Sequence, residues 1–464
     1  MLRQYARIPD TIRPDALHAY LCFSYVPAPT TILAGFDALP AGYCSHLTLR
    51  PRGSQGAPAH SDGSPILVAH TEDTARDDVA KVGGGITESA HETNWREHPP
   101  ALRDESAAVT ELTALLRRSV APRLGSEREV GVFLSGGLDS SLVAALLVDA
   151  GARLKLFTLD FGPPFNSEVA MAQRVAAHLK QPLSVVPAGA REIERALRPT
   201  AAAMEQPFGD AVTVPLFLLG QAAARQVGVV FNGEFGDQLF GGWANKPMIA
   251  AELYAGPDYR RDKAYLATFH RFHGLTDGLY TPAMRRMIGD SDAAEWVRPA
   301  LEADAFRSLI HRLRAANLRL KGAQNIGPRA RQLAEACGLR MRAPFCDRDL
   351  ADWTFTCPPE WFLQGACEKY LLKRAAEAYL PADVVWQEKR GMGVPATEWC
   401  LGGLRGAIRK TLDPRRLKRD GWFTPEAVRE LCHGCDHPGE FRTRRLGEKL
   451  WTLLMLHVWL DEHA

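Results

Sequence analysis

Residues 130–141, VGVFLSGGLDSS, decide the fold. The first five residues are a short continuous apolar run, typical of a strand that is buried on both faces of a parallel sheet. A Gly-Gly loop follows, and residues 142–148 form a second apolar run with helical character. The order strand, glycine loop, helix predicts a ligand at the carboxyl end of the strand, where a helix N-terminus offers free N–H groups to a phosphate.

The same alternation continues on the C-terminal side of this loop. Strands are predicted at 156–161, 183–186 and 227–231, and helices at 104–122, 168–179, 191–204 and 213–226. Repeated βα units predict an α/β protein with a mainly parallel, doubly wound sheet that binds ligands at the carboxyl ends of its strands. Beyond residue 245, Trp, Leu, Arg and Ala recur at helical spacing, which predicts a mainly helical C-terminal part.

With 464 residues, the chain is too long for one ordinary core. We predict a short β-rich segment at 1–50 and a flexible linker, rich in Gly, Pro and Ser, at 51–103. The main domain is then 104–464, with an α/β core at 104–245 and a helical closing part at 246–464.

Composition narrows the classes of function. A net charge of +2 provides no global basic field, so we expect no nucleic-acid partner. The N-terminus has no signal-like apolar core and no run is long enough to cross a membrane, so a cytoplasmic protein without a membrane partner is expected. Nine scattered cysteines indicate reduced thiols. Cys432 and Cys435, with nearby histidines, remain open between a zinc site and ordinary loop thiols.

The loop after the first strand is a candidate nucleotide site. It lacks the P-loop lysine pattern, and Asp139 would repel bound phosphates unless a cation such as Mg²⁺ lay between them. A plain turn with capping serines is the alternative. The residues that we predict to bind ATP and its pyrophosphate are Ser135, Gly136, Gly137, Leu138, Asp139, Ser140 and Ser141, together with Asn232 and Gly233.

A second glycine-rich segment, residues 232–243 (NGEFGDQLFGGW), follows another predicted buried strand. It places Glu234 and Asp237 at the same edge of the sheet as the first loop. Asp237 could therefore complete a two-carboxylate magnesium site with Asp139.

These segments resemble the asparagine synthetases, a family that includes the β-lactam synthetases and the lasso-peptide cyclases. The first loop resembles the pyrophosphate loop of the family, and the second resembles its S-G-E-x-x-D-E-x-F-G-G-Y segment. Residues 338–347 (GLRMRAPFCD), 368–373 (EKYLLK) and 388–395 (EKRGMGVP) follow in the family's order. The resemblance covers roughly residues 106–464 and implies the ATP-pyrophosphatase (PP-loop) type of fold.

The resemblance implies a reaction in which ATP and Mg²⁺ activate a carboxylate as an acyl-adenylate, after which an amine attacks to give an amide. It assigns magnesium to Asp139 and Asp237, and stabilisation of developing negative charge to Lys389. Glu234 matches an acidic residue beside the nucleophile and would act as general base. An ordinary charged surface loop remains the alternative for Lys389 and Glu234.

The N-terminus departs from the family pattern. Leu2 stands where the family's glutaminase domain has its cysteine nucleophile, and only residues 20–32 resemble the end of that domain. Neither Cys22 nor Cys44 matches the nucleophile, so residues 1–50 are predicted to be a remnant without glutaminase activity. The amine would then be free ammonia, ammonia from a separate glutaminase, or an amine on a larger substrate.

The predicted substrate pocket also departs from the family. Glu205 and Asp210 match an acidic stretch of the family, but Gln238 and Arg340 stand where it has glutamates. The loss of negative charge favours a specialised amide synthetase, in metabolite or peptide biosynthesis, over asparagine production. The other interpretations are asparagine synthesis, a tRNA-modifying ATP pyrophosphatase and a non-catalytic scaffold. A biosynthetic partner protein and a homodimer are further expectations.

Overall fold

The computed structural model describes most of the chain. The described residues are 11–38, 43–44, 47–49, 67–69, 80–82, 86–90, 95, 104–165, 167–242, 245–269, 271–302, 305–388, 393–433 and 441–463. Among the helices of these residues, none combines the length and apolar character that a membrane crossing requires.

The strands in these ranges are short. They are β1 (Tyr43–Cys44), β2 (Leu47–Leu49), β3 (Leu67–Ala69), β4 (Ala80–Val82), β5 (Ile86–Ala90), β6 (Glu129–Phe133), β7 (Arg153–Asp160), β8 (Leu183–Pro187), β9 (Val229–Phe231), β10 (Arg340–Arg342), β11 (Leu363–Gln364) and β12 (Cys367–Glu368).

Helices make up most of the remaining structure. They are α1 (Pro14–Phe23), α2 (Glu105–Leu124), α3 (Leu138–Asp149), α4 (Ser167–Leu179), α5 (Ala190–Ala202), α6 (Thr213–Ala224), α7 (Gly236–Phe240), α8 (Asn245–Leu253), α9 (Arg261–Ala267), α10 (Thr276–Leu279), α11 (Pro282–Ile288), α12 (Arg298–Leu301), α13 (Leu309–Asn317), α14 (Gly327–Ala336), α15 (Arg348–Thr354), α16 (Tyr370–Ala376), α17 (Ala382–Val385), α18 (Ala396–Leu401), α19 (Arg405–Thr411), α20 (Pro414–Asp420), α21 (Pro425–His433) and α22 (Phe441–His463), with 3₁₀ turns at Ala293–Trp296 and Pro359–Trp361 and a π-helix at Leu318–Ile326.

A five-stranded parallel sheet forms the centre of the main domain. Its strand order is β10-β9-β6-β7-β8, and every neighbouring pair is parallel. Because successive side chains of a strand point to opposite faces, β7 contributes to two separate cores. Leu154 and Leu156 face the core that contains α2 and α3, whereas Phe157 and Leu159 face the core that contains α5 and α22.

The predicted α/β fold class is confirmed. Each predicted strand and helix between residues 104 and 231 is present, with boundaries that differ by a few residues. Pro122, the predicted end of α2, lies within its last turn, and the helix ends two residues later before Gly125, which has a φ of 57°. The parallel edge strand β10 was not predicted, because three residues that include two arginines carry no strand pattern.

The N-terminal part, which was predicted to be β-rich, contains a helix as well as the short strands β1 and β2. Residues 14–23 form the helix α1, most of whose side chains are buried in the same core as α22. Short antiparallel pairs join β1 to β5, β4 to β5, and β2 to β3. Three of these strands therefore fall inside the predicted linker. The division into 1–50, 51–103 and 104–464 stays a prediction.

Candidate active site

The nucleotide loop lies between β6 and α3, as the sequence predicts. Gly137 precedes the first turn of α3, and the loop is closed by its own serines. The Ser135 and Ser140 hydroxyl oxygens lie 3.1 Å apart, and the backbone N–H of Gly137 donates to the Ser135 hydroxyl at 3.2 Å. The loop thus presents the N-terminus of a twelve-residue helix at the carboxyl edge of the sheet, a site suited to an anion.

The two predicted metal carboxylates meet at one point. Asp139 is in the first turn of α3 and Asp237 in the first turn of α7, and both form an ion pair with the ammonium group of Lys369. The distance from Lys369 Nζ to Asp237 Oδ1 is 2.5 Å, and the Lys369 side chain is only 3% exposed. Lys369 lies in the motif at residues 368–373, and the sequence alone assigned it no role. A buried lysine beside two acids is visible only in three dimensions.

Glycines allow α7 to approach α3 this closely. A Cβ atom at Gly236 would lie 2.6 Å from Cγ of Asp139, and one at Gly242 would lie 2.0 Å from Cε of Lys369. Real Cβ contacts are not this short, so any other residue at either position would push the charged groups apart. The glycines of the second segment therefore set the distance between the two carboxylates.

The site fits a magnesium ion. The two carboxylates already converge on one cation, and the buried Oδ1 atom of Asp139 accepts no hydrogen bond. Mg²⁺ is commonly held by one or two carboxylates together with substrate phosphates. No cluster of three or more His, Cys, Asp or Glu side chains occurs in the part of the chain that the structure describes. Cys432 is among the described residues, whereas Cys435 lies in the undescribed range 434–440, so the candidate zinc pair stays untested.

The segment that precedes Lys389 is attached to the nucleotide loop. The Gln387 amide donates hydrogen bonds to the carbonyl oxygens of Gly136 at 3.0 Å and Val384 at 2.9 Å. Lys373 in turn donates to the carbonyl oxygen of Gln387 at 3.3 Å. Lys389 itself lies outside the described residues, and its role stays a prediction.

Asn232 and Glu234 line a cavity. The Glu234 backbone N–H donates to the Asn232 side-chain oxygen at 3.4 Å, and the Asn232 N–H donates to the Arg342 carbonyl oxygen at 3.1 Å, which joins the ends of β9 and β10. A Cβ atom at Gly233 would lie 2.5 Å from the backbone nitrogen of Ser140. Glu234 therefore follows a residue that is packed directly on the nucleotide loop.

The predicted pocket residues are held by different elements of the structure. Glu205 accepts a hydrogen bond from Gln332 at 3.0 Å, and Asp210 forms an ion pair with the buried Arg329 at 2.8 Å, so both are fixed to α14. Gln238 is buried in α7. Arg340 is the first residue of β10, its side chain is 68% exposed, and it pairs with Glu127, so its predicted pocket role gains no support from this placement.

The π-helix contributes a basic residue that sequence reasoning did not assign to the site. π-helices are rare and often occur at functional sites. Burial lowers the pKa of Lys321 to about 8, while Asp210 and Asp237 act in the opposite direction. Burial would raise the pKa of Asp210, but Arg329, Arg271 and Lys321 together lower it. Lys321 thus interacts electrostatically with Asp237 and with the predicted pocket residue Asp210.

The sheet, the nucleotide loop and the paired carboxylates define an α/β domain of the ATP-pyrophosphatase class. The model of the asparagine synthase family matches residues 111–461. This chain therefore belongs to the asparagine synthase family, whose related members are ATP-dependent ligases that form carbon–nitrogen bonds. The predicted family is confirmed.

The two asparagine synthetases to which this chain is similar are longer than the chain. Asparagine synthetase [glutamine-hydrolyzing] 1 of Bacillus subtilis is 24% identical over 97% of this chain and 68% of its own length. A putative asparagine synthetase of Mycobacterium bovis is 26% identical over 84% of this chain and 59% of its own length. Among solved structures, the NH3-dependent NAD synthetase of Campylobacter jejuni has 19% identity and a TM-score of 0.23, over 31% of this chain and 62% of that one.

Proposed function

We propose that this protein is an ATP- and Mg²⁺-dependent ligase that adenylates a carboxylate and transfers the acyl group to an amine. The observation that carries this proposal is that Asp139 and Asp237 converge on the ammonium group of Lys369 beside the nucleotide loop. The metal would screen the phosphates of ATP from these carboxylates. We further propose a specialised biosynthetic substrate and no glutaminase activity in this chain.

In the first half-reaction, a substrate carboxylate oxygen attacks the α-phosphorus of ATP and pyrophosphate leaves. The loop from Ser135 to Ser141 supplies hydroxyl and N–H donors for the departing phosphates. Lys369, held between the two aspartates, adds a fixed positive charge beside them. Lys389 is proposed to stabilise the charge that develops on phosphate and acyl oxygens, in line with its family match.

In the second half-reaction, the amine nitrogen attacks the acyl carbon and AMP leaves. Glu234 is proposed to accept the proton of the amine, since it follows directly on Gly233, which contacts the nucleotide loop. The nitrogen comes from ammonia, from a separate glutaminase or from an organic amine. The cysteines whose side chains the structure describes are free thiols, which supports a reducing, cytoplasmic setting.

The test is pyrophosphate release with a panel of carboxylates, aspartate included, each assayed with ammonia, glutamine or organic amines. We expect release with some amine and none with glutamine alone. Asp139→Ala should abolish it, while Asp149→Ala, at the exposed end of the same helix, should not. Full activity in Asp139→Ala would contradict the metal assignment. Release that requires RNA would favour a tRNA-modifying enzyme, and failure to bind Mg²⁺-ATP would favour a scaffold.

A further inference from the structure

Basic residues are concentrated in the helices α19 and α20. Residues 405–419 contain seven of the 56 lysines and arginines of the chain, and only one of its 54 aspartates and glutamates. The rest of the chain, with 49 basic and 53 acidic residues, is therefore net negative. The small net charge of the whole chain thus includes one strongly positive segment.

Four of these cations are exposed. Their side chains form neither a hydrogen bond nor an ion pair with any part of the chain that the structure describes, and the carboxylates of the neighbouring helix α21, Glu426 and Glu430, do not pair with them either. The four are Arg409, Lys410, Arg415 and Lys418.

Other charged residues of the segment have structural roles. Arg416 pairs with Asp461 of α22 at 2.9 Å, and Arg419 pairs with a neighbouring carboxylate of its own helix at 3.2 Å. Asp413, the one acid of the segment, caps α20, because its carboxylate accepts the backbone N–H of Arg415 at 2.9 Å. The charge of the four exposed cations is thus available to a ligand.

The helix dipole does not account for all of this charge. Cations stabilise the last turn of a helix, which accounts for Arg409 and Lys410 in α19 and for Lys418 in α20. Arg415, however, lies in the first turn of α20, where a positive charge is unfavourable. A cation that opposes the dipole of its own helix indicates a ligand outside the chain.

The start of α19 lies at the edge of the sheet that holds the nucleotide loop. β8 ends at this edge and is followed by α5. A Cβ atom at Gly403 would lie 2.5 Å from the Cβ atom of Ala190, the first residue of α5, and α19 begins two residues after Gly403. β8 is two strands from β6, which is about 10 Å at ordinary strand spacing. A ligand on α19 would therefore be near the ATP site.

The character of this surface favours a protein over a membrane or a nucleic acid. The apolar residues Ile408, Leu412 and Leu417 are buried, so these helices have no apolar face that could enter lipid. Residues 405–419 contain no aromatic residue on which a base could stack. A long polyanion would also extend beyond this short segment, and the other residues of the chain are net negative.

We propose that α19 and α20 form the docking surface for an acidic segment of a partner protein. Arginine clusters recognise acidic segments, because the paired N–H groups of a guanidinium match the two oxygens of a carboxylate. Each of the two helices has seven residues and is about 10 Å long, so the surface fits one short acidic segment. This inference does not depend on the ligase function, because docking requires no turnover.

Crosslinking locates the surface in the unaltered protein. The probe is a fluorescein-labelled peptide of four Glu-Glu-Ala-Ala repeats, and a carbodiimide joins its carboxylates to nearby lysines. Mass spectrometry after digestion should find the peptide on Lys410 and Lys418. It should not find it on Lys180, an exposed lysine just before β8, at the opposite edge of the sheet. Equal crosslinking of all three lysines would overturn the inference.

Fluorescence anisotropy at low ionic strength, where exposed charges are screened least, measures the affinity for the same peptide. The docking variant combines three substitutions: Arg409→Gln, Arg415→Gln and Lys418→Gln. Its Kd should be about tenfold higher than that of the wild type, the effect of about 1.4 kcal/mol shared by three exposed ion pairs.

The matched control removes the same charge from the opposite edge of the sheet. It combines three substitutions at exposed positions: Arg128→Gln, Arg153→Gln and Lys180→Gln. The Kd of the control should equal that of the wild type, and both triple variants should unfold at the urea concentration that unfolds the wild type. An equal rise of the Kd in both variants would show attraction by net charge alone and would contradict a docking surface.

Two further ligands test the class of the partner. An oligouridylate as long as the peptide represents a nucleic acid, and vesicles that contain phosphatidylserine represent a membrane. Neither should displace the peptide from the wild type. If either displaces it and binds the docking variant more weakly, the surface belongs to that class and the inference is overturned. A peptide that does not bind the wild type overturns it as well.

Discussion

The buried side chain of Lys369 holds the two carboxylates of the candidate site, Asp139 and Asp237, close together. Its backbone is in the left-handed region, with a φ of 56°, just before α16. This conformation is uncommon for a residue with a side chain and is retained where the surroundings require it. Here the surroundings are Asp139 and Asp237, which would repel each other without a cation between them.

Replacement of Lys369 by methionine should leave the repulsion between the Asp139 and Asp237 carboxylates uncompensated. Removing one partner of a buried ion pair generally costs about 3–5 kcal/mol, so the free energy of unfolding should fall by roughly that amount in Lys369→Met. Mg²⁺ should restore about 1–2 kcal/mol by binding the released carboxylates, and should affect the wild type less. Urea unfolding with and without MgCl₂ measures both effects.

The control for this experiment is Lys410→Met, at an exposed position of α19. Its stability should be within about 0.5 kcal/mol of the wild type. If Mg²⁺ stabilises neither the wild type nor Lys369→Met, the two carboxylates do not form the metal site.

The lowered pKa of Lys321 should make the free energy of unfolding depend on pH. Its folded pKa of about 8 is below the ordinary value of 10.5, so the unfolded chain binds more protons between these pH values. The free energy of unfolding that Lys321 contributes should therefore rise with pH across this window. Urea unfolding of wild type and Lys321→Met at pH 7, 8, 9 and 10 should give a difference that increases with pH. A difference that does not change with pH would contradict the assignment.

At the scale of elements, the helix α7 contains Asp237, and a buried arginine, Arg314, forms a hydrogen bond with the backbone of this helix. The Arg314 guanidinium donates to the Leu239 carbonyl oxygen at 2.7 Å. It also stacks on Phe355 and Phe362, with ring centroids 4.5 and 3.6 Å from Cζ. The five-residue helix is too short to be stable alone, so these contacts fix its direction.

The segment around α17 is positioned by Gln387. In Gln387→Leu, the hydrogen bonds to the carbonyl oxygens of Gly136 and Val384 are lost. Each such bond contributes about 0.5–1.5 kcal/mol, so stability should fall by at most about 3 kcal/mol. Pyrophosphate release should fall more than tenfold, because small displacements of catalytic groups have large effects on rate.

A matched change at a surface glutamine tests this prediction. Gln226→Leu removes an exposed hydrogen bond to Ser184, at 3.5 Å, and should affect neither stability nor pyrophosphate release. If Gln387→Leu lowers stability but leaves the catalytic rate unchanged, Gln387 has only a structural role.

The elements around the nucleotide loop could be predicted from sequence because their apolar periods are uninterrupted. The run at 130–134 and the alternation that follows it are local signals. By contrast, β10 exists because β9 offers it a parallel edge, and the π-helix depends on contacts such as that of Gly322 with Phe235. Both features are set by tertiary packing, which a local pattern does not contain.

At the scale of the whole molecule, α1 and α22, the first and last helices among the described residues, share one core. The Tyr20 hydroxyl of α1 donates to the Thr452 carbonyl oxygen of α22 at 2.9 Å, and the backbone N–H of Gly209 donates to the Ser24 carbonyl oxygen at 2.8 Å. α1 is therefore part of the core that supports one face of the sheet. The sequence did not predict the helix at Pro14–Phe23, because the predicted β-rich segment was based on apolar stretches further along the chain, near β1 and β2.

Substitution of Tyr20 tests how much α1 contributes to the free energy of unfolding. Loss of a large buried aromatic side chain generally costs about 3–5 kcal/mol, so Tyr20→Ala should lower the free energy of unfolding by that amount. Tyr254, which is 90% exposed, is the control, and Tyr254→Ala should change stability by less than about 0.5 kcal/mol. Equal stability of both variants would show that α1 is not part of the cooperative fold.

The hydrogen bond between Tyr20 and Thr452 spans 432 residues of sequence. At a translation rate of about 5–20 residues per second, the ribosome needs roughly 20–90 seconds to synthesise the chain between them. The contacts of α1 with Phe269 and Tyr280 can form during this time. The contact between Tyr20 and Thr452 can form only when the synthesis of α22 is nearly complete, so the last step that fixes α1 follows the synthesis of almost the whole chain.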